Sequence, residues 1–282
     1  MLIIERLKRK FLSSKILLPR VAKQVFSLFL RPVYRIYEWK LYREIRNGPM
    51  PKHVAIIPDG NRRWASMMGL EKSYGHLFGY NKMKEVLEWL NDLGIKAITI
   101  YAMSYENCLY RHPEEKKNLY NLINKGLIEL NEYANKYRVK VKVLGRLDLA
   151  PEEIIKNAKY IEKQSSVYND RILNILLCYG GRQEIVDAIK NLYKDAAKGH
   201  IDIEKLNEET LSKYLYTGFM GDLQEPDLVI RTSGEIRISN FLLWQSAYSE
   251  LFFCEALWPE FRKIDLYRAI RSFQRRERRF GR

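Results

Sequence analysis

The chain has 282 residues, 46% of them hydrophobic, which is enough for one sizeable globular domain with an appendage. Its net charge of +15 is concentrated at one end: residues 1–52 hold 13 Lys/Arg and 3 acidic residues, or +10, leaving +5 for the rest. Three widely spaced cysteines, Cys108, Cys178 and Cys254, have no CxxC pair and no nearby histidine, which argues against a disulfide framework or zinc site and for buried thiols in a reducing, cytoplasmic setting.

Residues 1–51 form a basic extension in which Lys and Arg alternate with large apolar side chains such as Phe11, Leu17, Val25, Phe29, Tyr37 and Trp39. No run approaches the roughly 20 apolar residues of a spanning helix, and the cleavage pattern of a secretory signal is missing. A helical amphipathic anchor lying on a membrane surface fits better, each cation adding about 1 kcal/mol near an anionic leaflet. The alternative is a helical arm packed on the following domain or on a dimer partner. Nucleic-acid binding is not expected, because the cations come with aliphatic bulk and no nucleic-acid motif.

Val54 to Ile57 then reads as a buried strand ended by Pro58, so Asp59 sits at a strand carboxyl end, where α/β sheets bind ligands. Gly60 lets backbone N–H groups approach an anion, and the residues after it open a helix whose N-terminus favours negative charge. Arg63, with Arg62 beside it, offers charge-assisted bonds to phosphate oxygens. A carboxylate in this company makes chemical sense if a divalent cation joins it to phosphate, since Mg2+ is held by one or two carboxylates plus substrate oxygens. A loop salt bridge or a helix cap is the alternative reading of Asp59 and Arg63.

Met83, Val86, Leu87, Leu90 and Leu93 recur at helical spacing, with Gly94 as the stop. Ala97 to Ala102 predicts a second strand that ends at Ser104-Tyr105-Glu106-Asn107. His112-Pro113 starts a long helix to about Tyr137, followed by a strand over Val139–Leu144 and a helix opened by Pro151. A strand over Ile172–Tyr179 and a helix over Gln183–Ala196 come next. The strand Leu228–Arg231 delivers Arg231 to a loop with Gly234, Arg237 and Ser239, a second phosphate-type constellation, so two phosphorylated substrates are expected. Ile264 to Arg279 closes the chain as a basic helix. This alternation predicts an α/β domain with a mainly parallel sheet flanked by helices.

The two constellations, together with Tyr101–Asn107, Asn174–Arg182 and Glu250–Phe253 in the same order, strongly resemble the conserved blocks of the cis-prenyltransferases. That family includes undecaprenyl diphosphate synthase and dehydrodolichyl diphosphate synthase; the resemblance covers about residues 52–282 and marks a catalytic domain. It implies a single α/β domain, a homodimer and an apolar tunnel, with Leu87, Leu90, Met103, Leu119, Leu122, Ile123 and Leu127 as candidate walls. The aspartate-rich DDxxD motifs of the all-helical trans enzymes are missing.

The reaction implied is Mg2+-dependent condensation of isopentenyl diphosphate onto an allylic prenyl diphosphate, farnesyl or geranylgeranyl, with each new double bond cis. By resemblance, Asp59 is the central carboxylate and metal ligand, and Gly60, Asn61, Arg62 and Arg63 cradle the allylic diphosphate, with Trp64, Lys72 and His76 nearby. Arg231, Arg237 and Ser239 would hold isopentenyl diphosphate. Asn107, with Ser104 and Glu106, would orient the reacting group. Glu250 would reach the metal across the dimer interface, and Arg279 and Gly281, from a terminal Arg-x-Gly motif, a partner's site.

Arg62, Lys72, Ile236 and Cys108 depart from the commonest bacterial pattern, which has glycine, arginine, histidine and tryptophan there. Arg62 and the long extension are similar to eukaryotic and archaeal members, implying a dolichol-type glycosyl carrier lipid and a peripheral place at the cytoplasmic membrane face. A non-catalytic partner subunit is the competing reading, but this chain keeps Asp59, Arg63, Arg231, Arg237, Ser239 and Arg279.

Overall fold

The computed structural model describes residues 20–276, and their side chains from residue 32 on. Six strands form one sheet: β1 (His53–Ile57), β2 (Ala97–Ser104), β3 (Val139–Leu144), β4 (Arg171–Tyr179), β5 (Leu228–Arg231) and β6 (Glu250–Phe253). Their order is β3-β4-β2-β1-β5-β6, and every pairing is parallel. The chain builds outward from β1 to one side, then crosses over to lay β5 on the other. The topological switch point therefore lies between β1 and β5, where open α/β sheets bind their ligands.

The connections are α1 (Arg20–Ile45), α2 (Asn61–Met67), α3 (Lys72–Asp92), α4 (Tyr105–Tyr110), α5 (Pro113–Tyr137), α6 (Glu152–Gln164), α7 (Gly181–Ala197), α8 (Glu208–Tyr214) and α9 (Lys263–Gln274). Pro113 opens α5 at its first turn, and Arg138 in the left-handed conformation ends it. The edge strand β3 buries Val139, Val141 and Val143 and turns Lys140 and Lys142 outward, which keeps an open edge from pairing further. The terminal helix is shorter than its pattern predicts: α9 ends at Gln274. Arg279 and Gly281 lie outside the described residues.

Alternation along the strands sorts the core onto two faces. Val54, Ile56, Ile98, Ile100, Leu173 and Ile230 face the larger cluster under α3, α5, α6 and α9. Ala55, Ile57, Tyr101, Leu176, Val229 and Phe241 face the other. The end of the basic extension joins the larger cluster, because Leu41 and Ile45 on α1 are buried against α9. Tyr42 meets Tyr267, the guanidinium of Arg268 lies over the Tyr37 ring, and Glu44 pairs with Arg271 and Arg275. The packed-arm alternative thus describes this last stretch. No described helix is long and apolar enough to cross a membrane.

One expectation is overturned. Cys108 and Cys178 form a disulfide, while Cys254 is free; all three are buried, as the sequence suggests. The separation of 70 positions between the paired cysteines carries no signal of pairing, because proximity arises only when β2 and β4 align.

His53 at the start of β1 is fully buried, and its Nε2 lies 2.8 Å from Thr99 Oγ1. Burial pushes its pKa down to about 4, against the opposing charge of Asp227. The unfolded chain takes up this proton near the ordinary value of 6.5 and the native chain does not. Stability is therefore expected to fall by roughly 3 kcal/mol as pH drops from 6.5 to 4, read by chemical denaturation across that range, and His53→Gln should flatten the dependence. In the same assay at neutral pH, Leu41→Ala should cost about 2–5 kcal/mol, since α1 is part of the core.

Candidate active site

The two phosphate-type constellations form one mouth. Ile57 pairs with Arg231 in the β1–β5 ladder, so Asp59 and Arg231 emerge side by side at the switch point. Arg231 Nη2 donates to Asp59 Oδ2 at 2.8 Å, and the Gly60 N–H donates to Oδ1 at 2.7 Å. Burial opposes ionisation of Asp59, but Arg231 and the Gly60 N–H outweigh it and hold the carboxyl below its usual range. The Asp59 N–H donates to Thr232 Oγ1, whose hydroxyl donates back to the Asp59 carbonyl. Arg63 crosses the other way, from Nη1 to the Ser233 carbonyl and from Nη2 to Glu235.

Local structure follows from this crowding. Gly60 has φ 101°, a left-handed turn that starts α2 and that a side chain would strain, and an added Cβ would strike Leu257 and Ser233. Gly79 lets α3 lie close on Asn61 and on Trp258, whose indole N–H donates to the Gly79 carbonyl at 2.8 Å. The loop after β5 holds Ser233, Ser239, Asn240 and Leu242 at positive φ. It is pinned by Arg231, which donates to the Arg237 carbonyl and Ser239 Oγ, and by Asn240, which receives the Gly181 and Arg182 N–H groups and donates to Glu106.

This mouth opens into a cavity of about 1350 Å³ between the sheet and helices α3 and α5. One part of its wall is cationic, with Arg62, Arg63, Lys72, Arg231 and Arg237, and carries the His76 imidazole beside them. Between the sheet and the helices the wall is mostly apolar, with Met83 and Leu87 from α3, Met103 from β2, and Leu119, Ile123 and Leu127 from α5, while Lys84, Glu88, Glu129, Glu132 and Lys136 of the same two helices also border it. Of the expected tunnel walls, Leu90 alone is missing from the lining; it lies in the core, fully buried. Glu115 sits between two guanidinium groups and an imidazole at the mouth, 3.4 Å from Arg111, 3.7 Å from Arg62 and 3.2 Å from His76. Burial, helped by the charge of Arg111, holds the His76 imidazole below its ordinary pKa despite Glu115.

Such a site binds two anionic groups beside one carboxylate and gives their apolar tails a shared cavity. The family model described as "Putative undecaprenyl diphosphate synthase" matches residues 57–281. The chain belongs to the undecaprenyl diphosphate synthase family. It is a prenyltransferase of the cis type, and its curated relatives are named accordingly. The tritrans,polycis-undecaprenyl-diphosphate synthase (geranylgeranyl-diphosphate specific) of Methanopyrus kandleri is 50% identical over 266 residues, 93% of this chain and 96% of the relative. Lavandulyl diphosphate synthase from Lavandula x intermedia, solved with dimethylallyl diphosphate, is similar in structure with a TM-score of 0.79 and 32% identity, covering 83% of this chain and 99% of that one. A probable undecaprenyl diphosphate synthase from Campylobacter jejuni gives a TM-score of 0.67 and 29% identity over 83% of this chain and 100% of its own.

In this prenyltransferase the cavity wall brings together Asp59, Gly60 and Asn61 with Arg62, Arg63, Lys72 and His76, and also Ser104, Glu106 and Asn107 with Arg231, Arg237 and Ser239. Trp64 is not on that wall; it packs with Ala65 and Leu257 and against the Phe78 ring. Glu250 opens β6 opposite Leu228, at the amino end of the sheet, and pairs with Arg276 at 2.6 Å, so one protomer does not place it beside Asp59. Sequence reasoning did not single out Glu115 or Asn240. Glu115 reads only as a first-turn helix carboxylate, and its partners His76 and Arg62 lie 39 and 53 residues away in the chain, respectively.

A guanidinium that gives charge-assisted bonds to diphosphate is worth about 1.5–3 kcal/mol. Arg63→Ala is therefore expected to weaken binding of inorganic diphosphate about tenfold or more, measured by titration calorimetry at fixed salt.

Proposed function

We propose that this enzyme condenses isopentenyl diphosphate repeatedly onto geranylgeranyl diphosphate to give a long cis-polyprenyl diphosphate, of undecaprenyl length, for a glycosyl carrier lipid. The carrying observation is one mouth with cationic groups on both sides of Asp59, opening into a large and mostly apolar cavity. The names of the archaeal relatives, specific for geranylgeranyl diphosphate, support that primer over farnesyl diphosphate.

Arg62, Arg63, Lys72 and His76, on α2 and α3, bind and orient the allylic diphosphate at the N-terminus of α2. Its prenyl tail lies along Met83, Leu87, Leu119 and Ile123, whose packing excludes water from the reacting carbon. Arg231, Arg237 and Ser239 hold the second diphosphate across Asp59, and Arg231 Nε, buried without a partner among the described residues, is suited to an anion there. Asn107 on α4 orients the homoallylic double bond.

A Mg2+ ion fits this donor set: Asp59 accepts from the Gly60 N–H, Arg231 and Ser233, and of a carboxylate's roughly four acceptor positions one remains for a cation. Among the described residues no cluster of three or more acidic, His or Cys side chains forms a cage, which suits an ion that takes its remaining ligands from diphosphate and water. When bound, it would neutralise charge on the departing diphosphate.

The working form is a homodimer at the cytoplasmic membrane face. Val186, Ile189 and Tyr193, exposed at helical spacing on α7, offer an apolar interface for a second protomer. On α1, Val33, Ile36 and Trp39 form an exposed stripe beside Arg43, whose guanidinium covers the Trp39 ring, and this supports lipid contact.

Labelled isopentenyl diphosphate with Mg2+ and either primer tests the reading, with products separated by length. A metal-dependent ladder is expected, stronger from geranylgeranyl diphosphate, and Asp59→Ala should reduce it by about 10²–10³-fold or more. No incorporation by the folded protein would instead favour a partner-subunit role.

A further inference from the structure

The Cys108–Cys178 bond joins the segment that carries Asn107 to the sheet. Cys108 directly follows Asn107 in α4, a helix of six residues. Isolated helices below roughly 12–15 residues are marginal in water, so the direction of α4 is set by its ties. Three are polar: Ser104 Oγ accepts the Asn107 N–H at 3.1 Å, Lys116 Nζ donates to the Cys108 carbonyl at 3.0 Å, and Asn240 Nδ2 donates to Glu106 Oε1 at 3.0 Å. The fourth is covalent and runs into the end of β4.

Cys178 reaches α4 because β4 breaks its alternation there. The β2–β4 register shifts between Tyr101 and Met103 and again between Met103 and Ser104, and Cys178 takes φ 49°. As a result Leu177 and Cys178, consecutive residues, both pack in the larger core cluster, while Leu176 and Tyr179 pack in the other. Bulges re-aim side chains beside active sites, and this one turns Cys178 toward Cys108. Tyr120 closes the spot from α5, its hydroxyl 3.7 Å from Cys178 Sγ.

We propose that the Cys108–Cys178 disulfide is a positioning element for Asn107 and Glu106: it fixes α4 against β4 so that both side chains stay on the cavity wall. The inference rests on the condensation proposed above. Cys108 is 4% exposed and Cys178 is fully buried, so reductants do not reach the bond in the native fold and it acts as a fixed strut. The allylic cradle on α2 and α3 is built without it, so its loss should fall on the turnover step and spare allylic binding.

Three measurements on the full chain test this. Thiol titration in denaturant without reductant should find one thiol per chain, from Cys254; finding three would overturn the proposal. Hydrogen exchange should show the amides of 106–110 losing protection in Cys108→Ala, in Cys178→Ala and in wild type refolded under reductant, with α2 and α3 unchanged; unchanged protection at 106–110 would overturn it, whether or not the enzyme turns over. In steady state each variant should lose about tenfold in kcat with KM for the allylic substrate within about twofold, and the double variant should lose no more than either single one, because both remove one bond. Unchanged kcat, or loss confined to KM, would overturn the positioning role. If wild type itself makes no product, the condensation reading fails, while the thiol count and exchange still decide whether the bond holds α4.

Discussion

The ion pair between Asp59 and Arg231 organises everything around it. Arg231 is nearly buried, and a guanidinium there without a counter-ion costs several kcal/mol. The pair exists because β1 and β5 are neighbours in a register that sets Ile57 opposite Arg231. The order of the sheet therefore decides the chemistry, since two strands distant in sequence must lie side by side before either anion site is complete. The crossing bonds of Arg63 to the β5 loop and of Thr232 to Asp59 repeat the logic, each constellation finishing the other.

Beyond that pair, the site separates two kinds of surface. Cations gather at the carboxyl ends of β1 and β5 and on α2, and aliphatic side chains of α3 and α5 line much of the rest. An amphiphile with a diphosphate head and a prenyl tail can satisfy both only in one orientation, head at the switch point and tail under the helices. Glu115 adds order at the boundary by holding Arg62, His76 and Arg111 close together without consuming the Asp59 carboxylate.

What was legible in the sequence follows from how local each cause is. The strands Val139–Leu144 and Leu228–Arg231 have the predicted bounds, because alternation in one and a short apolar run in the other are complete within the segment. The helix Pro113–Tyr137 announces its own start with Pro113. The strand Glu250–Phe253 was visible only as a motif, being four half-buried residues. The disulfide, the side chains gathered around Glu115 and the left-handed Ser239 and Asn240 depend on partners brought together by the fold, and none of these residues has a local pattern that demands its state. Asp59 and the arginines were legible because phosphate chemistry restricts the residue types beside a strand end. The position of Trp64, against Phe78 and away from the cavity wall, is set by packing, which no motif encodes.

The helix α1 spans 26 residues, or about 39 Å, and its last turns are fastened to α9 by buried leucine and isoleucine, stacked cations and paired charges. A flexible linker would convey only proximity, whereas a fastened helix also conveys direction. Whatever the outer end of α1 rests on, the face of the catalytic domain turned toward it is fixed by the geometry at Leu41 and Ile45. In that sense the extension works as a bracket, and a change at its root would re-aim the cavity mouth without touching a residue that lines it.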